Sequence, residues 1–254
     1  MDISQHYFIG IEPDAGLRRM AYAALDEDLR PMALGIGDFE EVLAYVGGQK
    51  QATVAIAGPP RPNLGLMAEE ERRSSLEPMP AKGTWKDCRL AEYLLYTRDV
   101  QAFVTPAKTS ACKAWMRSAF HLYEKLFELG YVNHSKGEVE KRVLEAWPVA
   151  SYAASMEGEL LPKYSLEGRL QRQLTLSNQG LRLPDAMQFF EEITRHRLIL
   201  GQLPTDVPYG GDELDALALA NTAYLCTAQP EEVELLGDVD EGQVAVPRPR
   251  MSDS

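Results

Sequence analysis

The side chains of this 254-residue chain best placed to do chemistry are carboxylates. Glu12 closes a short apolar run of β-formers, Tyr7 to Glu12 (YFIGIE), and Glu145 lies inside another, Arg142 to Trp147 (RVLEAW), beside Leu144, Trp147 and Pro148. A carboxylate in an apolar strand is costly to bury unless it is paired, hydrogen-bonded or bound to a metal. Strand alternation also offers Glu145 a solvated face, and Asp14, just past Pro13, offers the same chemistry as Glu12. Asp212 and Asp215 are spaced i,i+3 at a helix start behind Gly210-Gly211, which puts both on one face of the first turn, where they can share a divalent cation. The same pair would serve equally as a helix cap and a first-turn charge. Strand-end acids with a helix-start pair are the parts of a Mg2+ or Mn2+ centre for phosphodiester hydrolysis, one ion activating water and the other stabilising the leaving oxygen.

Other chemistries find less support. The three cysteines, Cys88, Cys112 and Cys226, are far apart and lack metal-ligand spacing, as do His6, His121, His134 and His196. The insertion aromatics Trp115, Phe120, Tyr123 and Phe127 lie at mixed helical spacings and read as packing rather than a base-stacking platform. There is no Walker loop, dinucleotide fingerprint or Gly-x-Ser-x-Gly elbow.

The elements that must carry the acids follow from periodicity. Tyr7 to Glu12, Leu17 to Leu25 and Pro31 to Ile36 read as three strands joined by hairpins, the second turn being Asp26-Glu27-Asp28. A helix follows, with Asp38 as N-cap and Glu41 three residues on, and Gly47-Gly48 ends it. Ala52 to Ala57 (ATVAIA) is a buried fourth strand closed by Gly58-Pro59-Pro60. Residues 61 to about 141 break the pattern, with a short helix near Leu90 to Tyr96, a strand at Val100 to Thr105 and a helix from about Ser110 to Leu129. Arg142 to Trp147 is the fifth core strand, stopped by Pro148, and three helices close the chain: one striped by Leu166, Leu170 and Leu174, one opened by Asp185 and Gln188, one by Asp212. The order is that of an α/β domain with a mixed sheet flanked by helices.

The strings FIGIE, VAIAGPP, VLEAWPVASY, PKYSLEGRLQR and DELDALALANTA, in this order over about residues 7 to 230, resemble the domain-of-unknown-function family 429. The resemblance implies a ribonuclease H-like fold, with the largely helical segment (about 61–141) as an insertion between the fourth and fifth core strands; the length suits a single domain over 1–246, and the composition of the last eight residues, PRPRMSDS, reads as a disordered tail at 247–254. The resemblance also implies a metal-dependent nuclease in which Glu12, Glu145, Asp212 and Asp215 hold Mg2+ or Mn2+. Lys163, Gly168 and Arg172 match the family's Lys-x-x-x-x-Gly-x-x-x-Arg pattern, which makes Lys163 a catalytic candidate and Arg172, Arg169 and Arg89 candidates for the substrate's phosphates. The alternative for Lys163, Arg169 and Arg172 is a solvated helix face paired with nearby acids. One position departs: Ala57 stands where the family pattern Ile-Asp-x-Pro carries a carboxylate. That leaves a weakened one-metal site, a substitution by Asp14 or Glu145, or a catalytically inactive binding or scaffold protein of the same fold. An ATP-dependent phosphotransferase ranks last, because the turn after the first strand, EPDAGLRR, has Gly16 but no Ser or Thr.

Charge limits the partners. With 26 basic and 38 acidic residues the net charge is -12, against a surface built throughout for a polyanion. Residues 61–150 hold 14 Lys/Arg and 12 Asp/Glu, a net of +2, with Arg72, Arg73, Lys82, Lys86 and Arg89 the densest group, so any nucleic acid is expected to bind there, weakly. No segment has the pattern of a signal peptide or a membrane span, and the expected location is the cytoplasm.

Overall fold

The computed structural model describes residues 5–14, 19–81, 85–137, 139–156, 158–192, 199–201, 204 and 207–249. Three antiparallel strands open the chain, β1 (His6–Glu12), β2 (Met20–Leu25) and β3 (Pro31–Gly37), followed by α1 (Phe39–Gly47) and β4 (Gln51–Ile56). The Asp26 carboxylate shapes the β2–β3 turn by accepting the amides of Asp28 and Arg30, each at 2.9 Å. At α1, Glu41 N–H donates to Asp38 Oδ1 and Asp38 N–H to Glu41 Oε2, both at 2.9 Å, the reciprocal cap expected from the spacing.

Next come α2 (Glu70–Ser74), α3 (Leu90–Tyr96), α4 (Ala114–Glu128), β5 (Val132–Asn133) and β6 (Lys141–Ala146). The chain closes with α5 (Pro148–Ala153), α6 (Leu166–Asn178), α7 (Gln188–Glu192), α8 (Gly211–Ala228), β7 (Val233–Asp238) and β8 (Gly242–Pro247). The eight strands form one mixed sheet of order β3-β2-β1-β4-β6-β8-β7, with β5 beside β6. β4, β6 and β8 run parallel to β1, while the β1–β2, β2–β3 and β7–β8 pairs are antiparallel. The central strands β1, β4 and β6 are buried on both faces because both are covered, and Glu12 and Glu145 are buried with them. Phe8, Ala55, Ala57, Leu144 and Ala146 pack with α8, whereas Ile9, Ile11, Val54, Ile56 and Val143 pack with α1 and α4.

Two expectations give way. Val100 to Thr105 pairs with no strand; it is an irregular strap whose β-forming residues pack without a ladder to join. The chain does not close on helices, because β7 and β8 extend the sheet past β6. Their signal is in the sequence, Val233 to Leu236 and Val244 to Val246 about an Asp-Glu-Gly turn, so Pro247 ends a strand paired with Val233. Pro148, which stops β6, also opens α5 as its first residue, where a missing N–H costs nothing.

Candidate active site

A cleft opens above the carboxyl ends of β1, β4 and β6, the place where an open α/β sheet leaves room for ligands. Glu12, the last residue of β1, shares the α8 face with Phe8 and Gly10 by the two-residue period of a strand. Gly10 makes the approach possible: a Cβ there would fall 2.0 Å from the carbonyl oxygen of Ala216, so α8 lies directly on the β1 backbone and brings its first turn to Glu12. Asp212 and Asp215 are on that turn, and capping is done by a different acid, Glu213, whose Oε2 accepts the Gly210 amide at 2.8 Å. The aspartates are therefore released for another partner. That partner is Lys163, whose Nζ lies 2.7 Å from Asp212 Oδ1 and 2.6 Å from Asp215 Oδ2. Tyr164 donates its hydroxyl to Asp212 at 3.1 Å.

The Lys-x-x-x-x-Gly-x-x-x-Arg spacing has a steric explanation. A Cβ on Gly168 would meet the Pro162 carbonyl at 2.0 Å, and one on Gly211 would meet the Lys163 carbonyl at 2.7 Å, so both glycines let the lysine loop lie against helix backbones. Arg172 then ties the loop down, donating from Nη1 to the carbonyls of Leu161 at 2.9 Å and Gly168 at 3.0 Å, with Nε 3.7 Å from Asp215 Oδ1. Arg169 donates from Nε to the Tyr209 carbonyl at 2.7 Å and also bonds the carbonyl of Pro208, fixing the approach to α8. Both arginines make positioning contacts inside the protein.

The electrostatics are uneven. Burial lifts the Glu12 carboxyl to about 8, and the negative charges of Asp215 and Asp212 add to it, against the opposing pull of Lys163 and the Asp14 amide. Burial also raises Asp215 from its ordinary value, with Lys163 and Arg172 opposing. For Lys163, burial favours the neutral amine, but Asp215, Glu12 and Asp212 outweigh it and hold the ammonium charged well above the ordinary lysine range.

Glu145 is not part of this group. In the parallel register Ile11 pairs with Ile56 and Ile56 with Glu145, so Glu145 takes the α1/α4 face while Glu12 and Ala57 take the other. It is 2% exposed, and Arg89, fully buried, grips it with Nη1 to Oε2 at 2.8 Å and Nη2 to Oε1 at 2.6 Å. Arg89 Nε also bonds Glu92 Oε1 at 2.9 Å, Glu92 accepts the amide of Thr105 at 3.0 Å and its hydroxyl at 2.5 Å, and the Trp147 indole donates to Glu145 at 3.2 Å. Arg89 is thus no surface cation, and Glu145 is its counter-charge.

Ala57, held beside Glu12 by its amide bond to the Ile11 carbonyl at 3.0 Å, contributes a methyl group to the cleft wall. The cavity, about 190 Å3, is lined by the polar group Glu12, Asp14, Lys163 and Asp215 and by the aromatic residues Phe103, Trp115 and Trp147. Trp115 therefore lines the cleft as well as packing, and Phe103 and Trp147 join it. Trp147 was visible in VLEAW next to the site residues, but Phe103, in an irregular strap, carried no sequence signal.

Among the described residues no three His, Cys, Asp or Glu side chains converge as a ready metal set. Asp212 and Asp215 are on Lys163, Glu145 is on the far face and position 57 has no ligand atom. Of the basic group, Arg72 pairs with Asp238 at 2.7 Å, Arg73 donates to the Met67 carbonyl at 2.5 Å, Arg89 is buried and Lys86 is exposed. Lys82 and Gly16 lie outside the described residues.

Comparison with known families matches residues 86–241 to a family described as "Protein of unknown function (DUF429)". No curated protein and no solved structure matches the chain. The matched span includes Lys163, Gly168, Arg172, Asp212 and Asp215; Glu12 and Ala57 precede it.

Proposed function

The chain belongs to the DUF429 family, and from that premise and the cleft we propose that it is a nuclease, hydrolysing phosphodiesters at Glu12, Asp212, Asp215 and Lys163. The observation that carries this reading is the gathering of three carboxylates about one ammonium at the carboxyl ends of parallel strands, with Glu12 pushed up to about 8. The strand order β3-β2-β1-β4-β6, with its first three strands antiparallel, supports a ribonuclease H-like fold, and residues 61–141 between β4 and β6 supply one wall of the cleft.

No three acids converge as a ready metal set among the described residues, so one divalent cation would bind here by displacing Lys163 from Asp212 and Asp215. Of Glu12, Asp212 and Asp215, Glu12 is the one with no ion pair within 4.0 Å among the described residues, and its carboxylate accepts the Asp14 amide at 3.1 Å. Glu12 and Asp215, with Asp212, would hold the Mg2+ or Mn2+, which lends positive charge to a phosphoryl oxygen and acidifies bound water. The protein's own groups do the rest. Lys163 has its ammonium at the mouth of the acid group, where a phosphate oxygen is an alternative partner to Asp212, and so stabilises charge that develops on that oxygen. Glu12 near 8 is poised to exchange a proton with water or a leaving oxygen at neutral pH. Arg172 and Arg169 act through Lys163 and the start of α8, keeping both in place.

One observation favours a second reading, a non-catalytic binding protein: Lys163 already neutralises two of the three acids. Cleavage assays on single-stranded and duplex DNA, RNA and hybrid, with Mg2+, with Mn2+ and with chelator, separate the two. The nuclease reading predicts metal-dependent cleavage that Lys163→Ala reduces at least about tenfold, and calorimetry giving one Mn2+ per chain. No cleavage of any substrate, with no carboxylate-dependent Mn2+ binding, leaves the binding protein.

A further inference from the structure

Three aromatic residues line the same cavity as the acids. Phe103, Trp115 and Trp147 meet at 5.6, 5.9 and 6.5 Å between ring centroids, with interplanar angles of 60°, 86° and 48°, and all three line the cavity. Trp115 and Trp147 are buried in the wall, whereas Phe103 is 50% exposed and Lys113 Nζ stands 3.8 Å over its ring. Phe103 thus presents ring surface to the cavity beside the buried tryptophans.

The buried charge network holds this wall. Trp147 is fixed by its indole bond to Glu145, and Phe103 lies two residues before Thr105, whose amide and hydroxyl both bond Glu92. Arg89 clamps both glutamates. Gly58 completes the fit, since a Cβ there would meet Ala119 at 2.8 Å and the Trp115 ring at 3.4 Å and push α4 off the cleft.

We propose that this recess takes one unstacked base of a single-stranded nucleic acid, whose adjoining phosphate faces Lys163 and the acid group. The inference rests on the nuclease reading for the acid group, but its evidence is the aromatic residues. A volume of about 190 Å3 suits one planar ring; an apolar cavity of about 150 Å3 accepts benzene. Aromatic faces bind every base, because each has a π-face. Lys113, whose Nζ stands over the Phe103 ring, supplies positive charge at that edge of the recess, which suits a base carried on an anionic backbone. Gln101, also in the lining, offers an amide to a base edge. A base paired inside a duplex cannot enter without being flipped out, so the recess selects single strands.

The test is binding, read separately from cleavage. The intact protein in chelator is titrated with an octamer of deoxythymidylate, with an abasic octamer of the same backbone charge and with a duplex octamer, following tryptophan fluorescence. The proposal predicts quenching by the thymidylate octamer and affinity roughly 5- to 100-fold above that for the abasic octamer or the duplex, the range for losing one base–aromatic stack. Phe103→Ala and Phe103→Leu, changes at a half-exposed position checked by thermal melting, should abolish that preference, with Leu restoring the area but not the ring. Equal affinity for base-bearing and abasic strands, or a preference unchanged in both variants, overturns it. Base-dependent binding without cleavage in any metal would retain the recess and sink the nuclease reading instead.

Discussion

Glu12 lies buried at the end of β1 with Asp215 and Asp212 beside it, while the ammonium of Lys163 is committed to the two aspartates. Its carboxyl keeps a proton to about pH 8, whereas in the unfolded chain it loses that proton near its ordinary value of 4.5. The native state thus binds more protons than the unfolded state between those values, and stability falls as pH rises through that window. Glu12→Gln cannot ionise, so in chelator its melting temperature should gain on the wild type between pH 5 and pH 8; a constant difference would mean that Glu12 titrates normally. Much of this residue-scale picture was legible in sequence. Glu12, Asp212 and Asp215 were singled out by type and spacing and Lys163 by the family resemblance, and the structure brings them together. What spacing left undecided was the use of the aspartates, since a helix start needs an acid whether or not it has a function; Glu213 takes that role and leaves the other two for Lys163.

At the scale of elements, Glu145 shows where a sequence reading runs short. Its strand was legible, but whether it is buried or solvated was not, because its face depends on register, and a one-residue difference in register moves a side chain through the sheet. Pairing of Ile56 with Glu145 puts it on the α4 side, where the buried Arg89 meets it. The contact spans 56 residues and joins a loop to a strand, with no local pattern to announce it. The network's role is to fasten the 89–105 segment to the sheet. Glu145→Ala would leave the Arg89 charge buried with Glu92 alone, and should lower unfolding free energy by about 3–5 kcal/mol, seen as a shift of the urea midpoint. A loss below about 1 kcal/mol, the scale of an exposed pair, would show that Arg89 finds water or another partner. The strap at 100–105 was misread for a related reason: β-forming composition marks residues that pack well, and here they pack against Trp115 and Trp147 without a neighbouring strand.

Over the whole molecule, the sheet carries the site at the ends of its central strands, and the hairpin β7–β8 extends it on the side of the 61–141 segment. Arg72 reaches Asp238 on that hairpin and Arg98 reaches Glu234 at 2.8 Å, so basic residues counted as a surface for polyanions partly serve to close the molecule on itself. The fold class was legible because strand and helix periods are local; the hairpin was not, because Val233 to Leu236 and Val244 to Val246 are short apolar runs in an acidic stretch whose pairing with β6 is long-range. With -12 overall and few basic residues left facing the cleft, single-stranded nucleic acid should bind with a shallow salt dependence. We expect the slope of log affinity against log salt to be no steeper than about -2, equivalent to roughly three phosphates. A slope of about -5 or steeper would place the binding surface elsewhere.

The account stands or falls on whether the acids at the mouth of the cleft break phosphodiester bonds. The direct measurement is single-turnover cleavage of an end-labelled single-stranded oligonucleotide in Mn2+ by the wild type, Glu12→Gln and Asp215→Asn, each shown to melt cooperatively. The account predicts cleavage by the wild type and a loss of at least about a hundredfold in both variants, the scale of removing one essential acid–base or charge-stabilising group. Full activity retained in either variant, or no cleavage by the wild type, would contradict it.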